Sequence, residues 1–507
     1  MKQSLTKFIH LPWYPFLFSA YPVLALFGNN VDEARPEALV RSLVVFLAGA
    51  LLLFLVFRVL LRDWHRATFV TSVWMILFST YGHLVSFLLD KEIAYSTNLL
   101  LAGWLILAAL FLLLAFRKKL KFSSATGSLN LIALVLLAYP VYQSSAVVVR
   151  NINIAGRSAS SPSIQEVNPV NADELPDIYY IILDSYARTD LLQQAYGYDN
   201  TPFISKLEEM GFYVAQCSQS NYMRTDLSLA SALNMDYAQN LSDKFKPDTY
   251  SRTQLFELLK HSSVRKTLES AGYKTIAFET GFYWTEWDDA DVFMGLSPLW
   301  SDLTSFEELL LNTTMLRLLE DAGRINASRI SSNHARERTS YVLDSIPELV
   351  KYPGPKFAFI HIISPHPPFV FGPDGEFTDA DTFLNDDQKY PAKKYALGYT
   401  NQATYLNTRM EQILGTLINE SARPPVIIVQ GDHGPWLQPE NKRFWILNAY
   451  YLPGHNAELY SSISPVNSFR IVLNDYLGTT YDLLDDKSFF SPIPYIYDFK
   501  PYSNPCK

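Results

Sequence analysis

The sequence is poor in charged residues and in cysteine. Only 18% of its 507 residues are Asp, Glu, Lys or Arg, against roughly 25% in soluble proteins, while 49% are hydrophobic. This composition excludes a disordered chain and a protein devoted to nucleic acid, and it favours contact with lipid. The only two cysteines are Cys217 and Cys506, and no CxxC pair exists, which excludes a zinc ribbon or finger. Whether these two cysteines form a disulfide stays open.

The charges that are present divide the chain into two parts. Residues 1–150 hold 13 basic and 6 acidic residues, whereas residues 151–507 hold 29 basic and 44 acidic residues. The first part is therefore cationic and the second strongly acidic. An acidic surface repels polyanions, so we expect no nucleic-acid partner.

The first part contains five apolar runs. They cover residues 11–28, 38–61, 68–89, 97–116 and about 129–148. Each is close to the roughly 20 residues that a helix needs to cross a hydrocarbon core. A cleavable signal peptide has one short apolar run, so it does not explain this pattern. The sequence predicts a transmembrane domain of five helices over residues 1–150.

The loops between these runs predict the orientation. Lys2 and Lys7 precede the first run, and the loops at 62–66 and 117–121 are basic, whereas the loop after the first run is acidic on balance. Basic loops stay in the cytoplasm. With five spans, everything after residue 150 then lies outside the cytoplasm.

The second part begins with a polar stretch, residues 151–176, that is typical of a juxtamembrane linker. Residues 177–507 then alternate short apolar strands with helices. The strands are predicted at 178–183, 212–215, 275–278, 357–362, 426–430 and 446–452. This alternation predicts an α/β domain with a mostly parallel sheet covered on both faces. In such sheets the chemistry collects at the carboxyl ends of the strands.

Polar side chains stand at three of these strand ends. Asp184 follows the first strand, Asp432 and His433 follow the strand at 426–430, and His366 follows the strand that contains His361. Carboxylate and imidazole together suit zinc or manganese. A lone Asp after a strand is more often a helix cap, and it is the joint pattern that predicts a metal site.

A hydroxyl nucleophile is predicted at Thr225, where a helix begins. Unpaired N–H groups at a helix start favour a phosphate, and a bound metal would lower the pKa of the hydroxyl. The alternative is that Thr225 serves as a helix cap, and Ser185 and Ser228 are rival hydroxyls. Arg224 is close enough in sequence to steady a phosphate, although exposure to solvent is the more ordinary role for such a residue.

These motifs give the outer domain a resemblance to the alkaline phosphatase/sulfatase superfamily. With the preceding spans, the chain resembles its membrane branch, the lipoteichoic acid synthases and lipid A phosphoethanolamine transferases. The resemblance implies that Asp184, Thr225, Asp432 and His433 ligate one divalent ion, manganese or zinc, with magnesium as another option. It further implies that His366 contacts the phosphate, with His361 as a second match.

The resemblance also implies a reaction and a location. Thr225 would attack a phospholipid donor, diacylglycerol would leave, and a phosphoglycerol or phosphoethanolamine group would pass from the phospho-threonine to an envelope glycan or lipid. The protein would lie in a bacterial inner membrane, with its catalytic domain facing the periplasm or the exterior. A membrane-tethered phosphodiesterase or phosphatase is one alternative, and a non-enzymatic envelope factor of the same fold is another.

Two departures from the family pattern bear on this expectation. Asp184 stands where the closest transferases have Glu. Cys217, in the sequence CSQSN, lacks the C-x-P-x-R pattern that sulfatases convert to formylglycine, which argues against sulfate-ester hydrolysis by the usual route.

Overall fold

The computed structural model describes residues 11–31, 34, 36–91, 93–117, 119–154, 175–249, 251–296, 304–321, 327–378, 391–436, 440–454 and 459–506. The helices in these residues are α1 (Tyr14–Asn29), α2 (Pro36–Leu61), α3 (Trp64–Asp90), α4 (Thr97–Phe116), α5 (Thr126–Ile154), α6 (Thr189–Tyr196), α7 (Thr201–Glu209), α8 (Thr225–Asn234), α9 (Ala238–Leu241), α10 (Thr253–Lys260), α11 (Ser263–Ser270), α12 (Ser305–Thr313), α13 (Arg317–Asp321), α14 (Ala327–Ser345), α15 (Ala392–Glu420) and α16 (Pro465–Leu477). The strands are β1 (Ile178–Leu183), β2 (Tyr213–Val214), β3 (Lys274–Phe278), β4 (Val292–Met294), β5 (Lys356–Ile362), β6 (Val426–Gly431), β7 (Asn448–Tyr451), β8 (Ser488–Phe490) and β9 (Lys500–Tyr502).

The chain forms two compact units. The first comprises Met1–Arg157 together with Pro298–Ser331, and the second comprises Ser158–Ser297 and Ser332–Lys507. The sequence predicts one continuous outer domain over residues 177–507, whereas the structure groups a segment from within that range with the N-terminal helices. Most of the predicted linker at 151–176 lies outside the described residues.

Four segments of the first unit are long and apolar enough to cross a membrane. They are Ala38–Leu61, Trp64–Asp90, Thr97–Phe116 and Phe122–Ser145. The first predicted run forms helix α1 of 16 residues. At 1.5 Å per residue this helix is about 24 Å long, short of the roughly 30 Å hydrocarbon core. Four spans among the described residues thus meet the length criterion, and the predicted count of five is not confirmed.

Helix α12 belongs to the first unit because its apolar side chains pack there. Phe306 and Leu310 share a buried cluster with side chains of α1, α2 and α3. Glu307 forms an ion pair with Arg41 on α2. Gly82 on α3 permits the close approach, since a Cβ atom there would lie 2.1 Å from the carbonyl oxygen of Asn312. Hydropathy along the sequence does not reveal such an insertion.

The second unit contains a seven-stranded sheet in the order β2-β7-β6-β1-β5-β3-β4. The five strands from β6 to β4 are parallel, β7 pairs antiparallel with β6, and β2 pairs antiparallel with β7 at that edge. This confirms the predicted mostly parallel α/β sheet. The edge strand β4 and the hairpin of β8 and β9 have only three residues per strand, too short for a clear apolar pattern.

Both faces of the sheet are buried, as the unbroken apolar sequence of β1 requires. Tyr180 and its alternate neighbours pack against a cluster that includes Leu227 of α8 and Phe469 of α16. Ile181 and its neighbours pack against the opposite cluster, which includes Met410 of α15. A parallel strand covered by helices on both sides shows no polar alternation. The central strands are therefore held in a fixed register, and so are the residues that follow them.

Cys217 and Cys506 form a disulfide with 5.5 Å between their Cα atoms. The bond ties the C-terminal end of the chain to the segment after β2. This answers the question that the sequence left open about the cysteines. Disulfides persist in oxidising compartments and are rare in the cytosol.

Candidate active site

The three strand ends named by the sequence meet at one edge of the sheet. Strands β6, β1 and β5 are neighbours and parallel, so the residues after them lie side by side. Asp184 follows β1, and Asp432 and His433 follow β6. One ligand atom from each of these three side chains lies within 4.8 Å of the others. Gly431 allows this crowding, since a Cβ atom there would be 2.2 Å from the carbonyl oxygen of Tyr186.

Thr225 joins the group from the start of α8. Its Oγ1 lies 3.1 Å from His433 Nε2. The same nitrogen is 3.4 Å from Asp432 Oδ2 and 4.0 Å from Asp184 Oδ1. The structure therefore brings together all four predicted ligands around one point. That these four residues bind an ion stays a prediction.

The residues fit a divalent cation. Asp432 Oδ2 is buried and accepts no hydrogen bond from the described residues, although its Oδ1 accepts one from the Ser185 amide at 2.9 Å. A buried carboxylate oxygen without a donor is costly unless a cation faces it. Two carboxylates and one imidazole are also the donor set that zinc and manganese accept.

The electrostatics of the site place its groups in the protonation states that bind a cation. Burial alone would raise the pKa of Asp184, but the neighbouring His366, His361 and His433 hold it well below its usual range. Burial lowers the pKa of His433, although Asp432 and Asp184 oppose this. Asp184 is consequently ionised and His433 neutral near pH 7, the forms in which both can be ligands.

The hydroxyl of Thr225 is not used as a helix cap. Arg224 occupies the N-cap position and makes no side-chain capping bond, and Thr225 is the first helical residue. The rival hydroxyls are committed elsewhere: Ser228 Oγ donates to the Tyr222 carbonyl at 2.8 Å, and Ser185 Oγ donates to Asp184 Oδ1 at 3.0 Å. Thr225 is thus the hydroxyl that both lines the cavity and faces His433.

The two predicted histidines occupy different places. His366 lines the cavity beside Thr225, and its backbone N–H donates to the Asp184 carbonyl at 3.1 Å. His361 lies within β5 with a side chain 1% exposed, and its Nε2 is 3.2 Å from Asp184 Oδ2. His366 can contact a substrate in the cavity. His361 lies against the Asp184 carboxylate and is not among the residues that line this cavity.

A cavity of about 500 Å³ opens in front of Thr225. Arg224, which the sequence predicts to steady a phosphate, lines it together with Arg252, Arg443 and Trp436. Arg252 and Arg443 are absent from the sequence prediction because each stands far from the strand-end motifs and carries no motif of its own. Asp226 was also missed, although its position directly after Thr225 offered a signal.

The chain is similar to known proteins of one family. The sulfatase family model matches residues 176–463. No curated protein matches the chain at a significant level. The chain is similar to the periplasmic domain of EptC from Escherichia coli, at 15% identity and a TM-score of 0.40, over 64% of this chain and 91% of that chain.

Two further solved structures are similar at the same low level. The integral membrane lipooligosaccharide phosphoethanolamine transferase A from Neisseria meningitidis is 14% identical with a TM-score of 0.39, over 92% of this chain and 94% of that chain. A phosphonate monoester hydrolase of Agrobacterium radiobacter is 14% identical with a TM-score of 0.38, over 62% and 80%. The family match confirms the superfamily named from the sequence, and phosphoethanolamine transferases, the branch named with it, are among these similar structures.

Proposed function

The chain belongs to the sulfatase family, and on that premise we propose that it is a membrane-embedded, metal-dependent transferase. It moves a phospholipid-derived phosphoglycerol or phosphoethanolamine group to an envelope glycan or lipid. The observation that carries the proposal is the position of the Thr225 hydroxyl, 3.1 Å from His433 Nε2, on a residue that lines a cavity together with three arginines.

Asp184, Asp432, His433 and Thr225 would hold one divalent ion, manganese or zinc, with magnesium as a further option. Such an ion, when bound, stabilises negative charge on a phosphoryl oxygen and lowers the pKa of a hydroxyl beside it. The side chains supply the rest: they place the nucleophile, bind the phosphate and hold the proton that the leaving group needs.

The first step exchanges one phosphorus–oxygen bond for another. Thr225 gives its hydroxyl proton to solvent, and its Oγ1 forms a bond to the phosphorus of the donor. The bond from phosphorus to the diacylglycerol oxygen breaks, and that oxygen takes a proton from His366, which lines the same cavity. Diacylglycerol leaves, and a phospho-threonine ester remains at the start of α8, where the positive end of the helix dipole favours negative charge.

The second step reverses these roles. A hydroxyl of the acceptor gives its proton to His366 and forms the new bond to phosphorus. Thr225 Oγ1 leaves and regains a proton from solvent, which restores the enzyme. Arg224, on the cavity wall, would steady the phosphate in both steps.

The apolar helices would anchor the chain in a membrane, which also holds the phospholipid donor. We propose five spans, with the short helix α1 crossing as the first, and therefore a catalytic domain outside the cytoplasm in a bacterial inner membrane. The disulfide between Cys217 and Cys506 supports this orientation, because a cytosolic domain would keep these thiols reduced. In intact cells a thiol reagent should label neither cysteine until a reductant is added, whereas labelling without reductant would contradict the orientation.

Product analysis tests the reaction. Purified full-length protein is incubated with manganese and vesicles that contain phospholipids labelled in the glycerol backbone or in the headgroup. We expect release of diacylglycerol, and transfer of the headgroup label when an envelope extract is added. Thr225→Ala should abolish both. Free headgroup phosphate in place of transfer would indicate the hydrolase instead, and lack of any turnover would indicate the envelope factor.

A further inference from the structure

The cavity in front of Thr225 is rich in guanidinium groups and poor in carboxylates. Arg224, Arg252 and Arg443 line it, and among the described lining residues Asp226 is the only acidic one. The groups that these three arginines can bind limit the headgroup of the donor, which the proposed function leaves open. The inference below rests on that proposed function.

Asp226 holds two of these arginines in place. Its side chain is 2% exposed, and it accepts hydrogen bonds from Arg224 Nε at 3.2 Å and Arg224 Nη2 at 3.1 Å. Arg252 Nη1 approaches the same carboxylate at 3.5 Å. The carboxylate is further fixed by the backbone N–H of Leu227 at 2.9 Å. One buried carboxylate thus positions two partly exposed guanidinium groups on the cavity wall.

Among the described residues that line this cavity, an ammonium group would find no carboxylate that is not already paired with arginine. The Asp226 side chain is only 2% exposed, and its oxygens already accept hydrogen bonds from Arg224 and from the Leu227 backbone N–H. An ammonium group could also bind to the face of an aromatic ring, but both tryptophans of this cavity already have ring contacts. The Arg443 guanidinium lies 4.2 Å from the Trp436 ring centroid, and the Trp284 ring stacks on Phe256 with 5.1 Å between centroids. A cation placed here would meet like charges at short range.

A hydroxyl-bearing or anionic group would instead find hydrogen-bond donors in this cavity. Guanidinium N–H groups donate to phosphate oxygens and to hydroxyl oxygens alike. We propose that Asp226 is a positioning residue that holds Arg224 and Arg252 as a headgroup subsite, and that this subsite selects an uncharged or anionic polyol phosphate over an ammonium-bearing one. The donor headgroup is then phosphoglycerol and not phosphoethanolamine.

Binding of the isolated headgroups tests this without any turnover. Titration calorimetry on the full-length protein with manganese compares glycerol phosphate with phosphoethanolamine, two ligands of similar size that differ in the ammonium group. We expect glycerol phosphate to bind about five- to tenfold more tightly. Equal or tighter binding of phosphoethanolamine, or no measurable binding of glycerol phosphate, would overturn the inference.

Variants show whether the arginine pair is the cause. Asp226→Asn and Arg252→Gln should bring the ratio of the two dissociation constants towards one while the protein retains its metal, and Arg252→Lys should restore part of the ratio. Arg409→Gln is the matched control, because Arg409 pairs with Asp344 at 2.6 Å on another part of the same unit and does not line the cavity. A ratio unchanged in Asp226→Asn and Arg252→Gln would contradict the assignment.

The result separates this inference from the proposed function. If glycerol phosphate is preferred but labelled lipids give no product, the subsite stands and the transferase proposal fails. If phosphoethanolamine is transferred from its lipid as readily as phosphoglycerol, the transferase proposal stands and the subsite inference fails.

Discussion

The two units of this chain differ in where they place ionisable side chains. In the sheet unit, short strands end together and leave ionisable groups at a single edge, where Asp184, Asp432 and His433 lie almost entirely buried. In the helical unit, long apolar helices leave few polar groups, and close contacts such as that at Gly82 fix the packing. Chemistry is therefore concentrated in one unit, while the other is organised by shape and hydrophobicity. Substitutions in the two units should fail in different ways.

The largest expected effect comes from removing a ligand in the sheet unit. Asp432→Asn keeps the shape of the side chain but removes the charge that a cation needs. We expect loss of the bound metal and a fall in transfer rate of about 10²–10³-fold or more. Metal content and turnover of the purified protein are the measurements.

Asp344→Asn is the control for that variant, since the Asp344 side chain is 68% exposed and pairs only with a surface arginine in the described contacts. It should change neither metal content nor rate. Full metal retention by Asp432→Asn would show that the strand ends are not the ligand set.

A smaller effect is expected from the residue behind the ligands. His361 Nε2 faces Asp184 Oδ2 at 3.2 Å, and the ionised carboxylate accepts this hydrogen bond. His361→Phe should weaken metal binding about 10- to 100-fold, because partners behind a ligand orient it. His361→Gln, which keeps an N–H donor, should recover part of the loss. Competition with a chelator measures the affinity, and no difference between the two variants would exclude the orienting role.

The smallest effect belongs to the helical unit and concerns stability alone. Gly82→Ala would place a Cβ atom 2.1 Å from the Asn312 carbonyl oxygen and force α12 away, at a cost of about 1–3 kcal/mol in the free energy of unfolding. Gly103→Ala is the matched control, because no atom lies within 4 Å of a Cβ there, and better helix propensity should leave it neutral or more stable. Thermal unfolding in detergent compares them, and equal melting temperatures would refute the docking of α12.

The same contrast explains what the sequence could predict. Strand β1 was predicted with its observed bounds because a doubly covered strand is apolar throughout, and the residue after it was therefore found as Asp184. Arg224 was named from its place beside Thr225, but Arg252 and Arg443 were not found, because they join it only through the tertiary fold. In the helical unit, hydropathy revealed the apolar runs but neither the shortness of α1 nor the packing of α12, which depends on a few buried contacts.

The most direct test of the central claim is the mass of the Thr225 peptide. Full-length protein is incubated with phospholipid vesicles and manganese without acceptor, quenched in acid and digested. We predict a phosphate ester of the donor headgroup on Thr225, absent from Thr225→Ala, and its mass identifies the headgroup. An unmodified Thr225 in protein that retains its metal and releases diacylglycerol, or an adduct on another residue, would contradict the account.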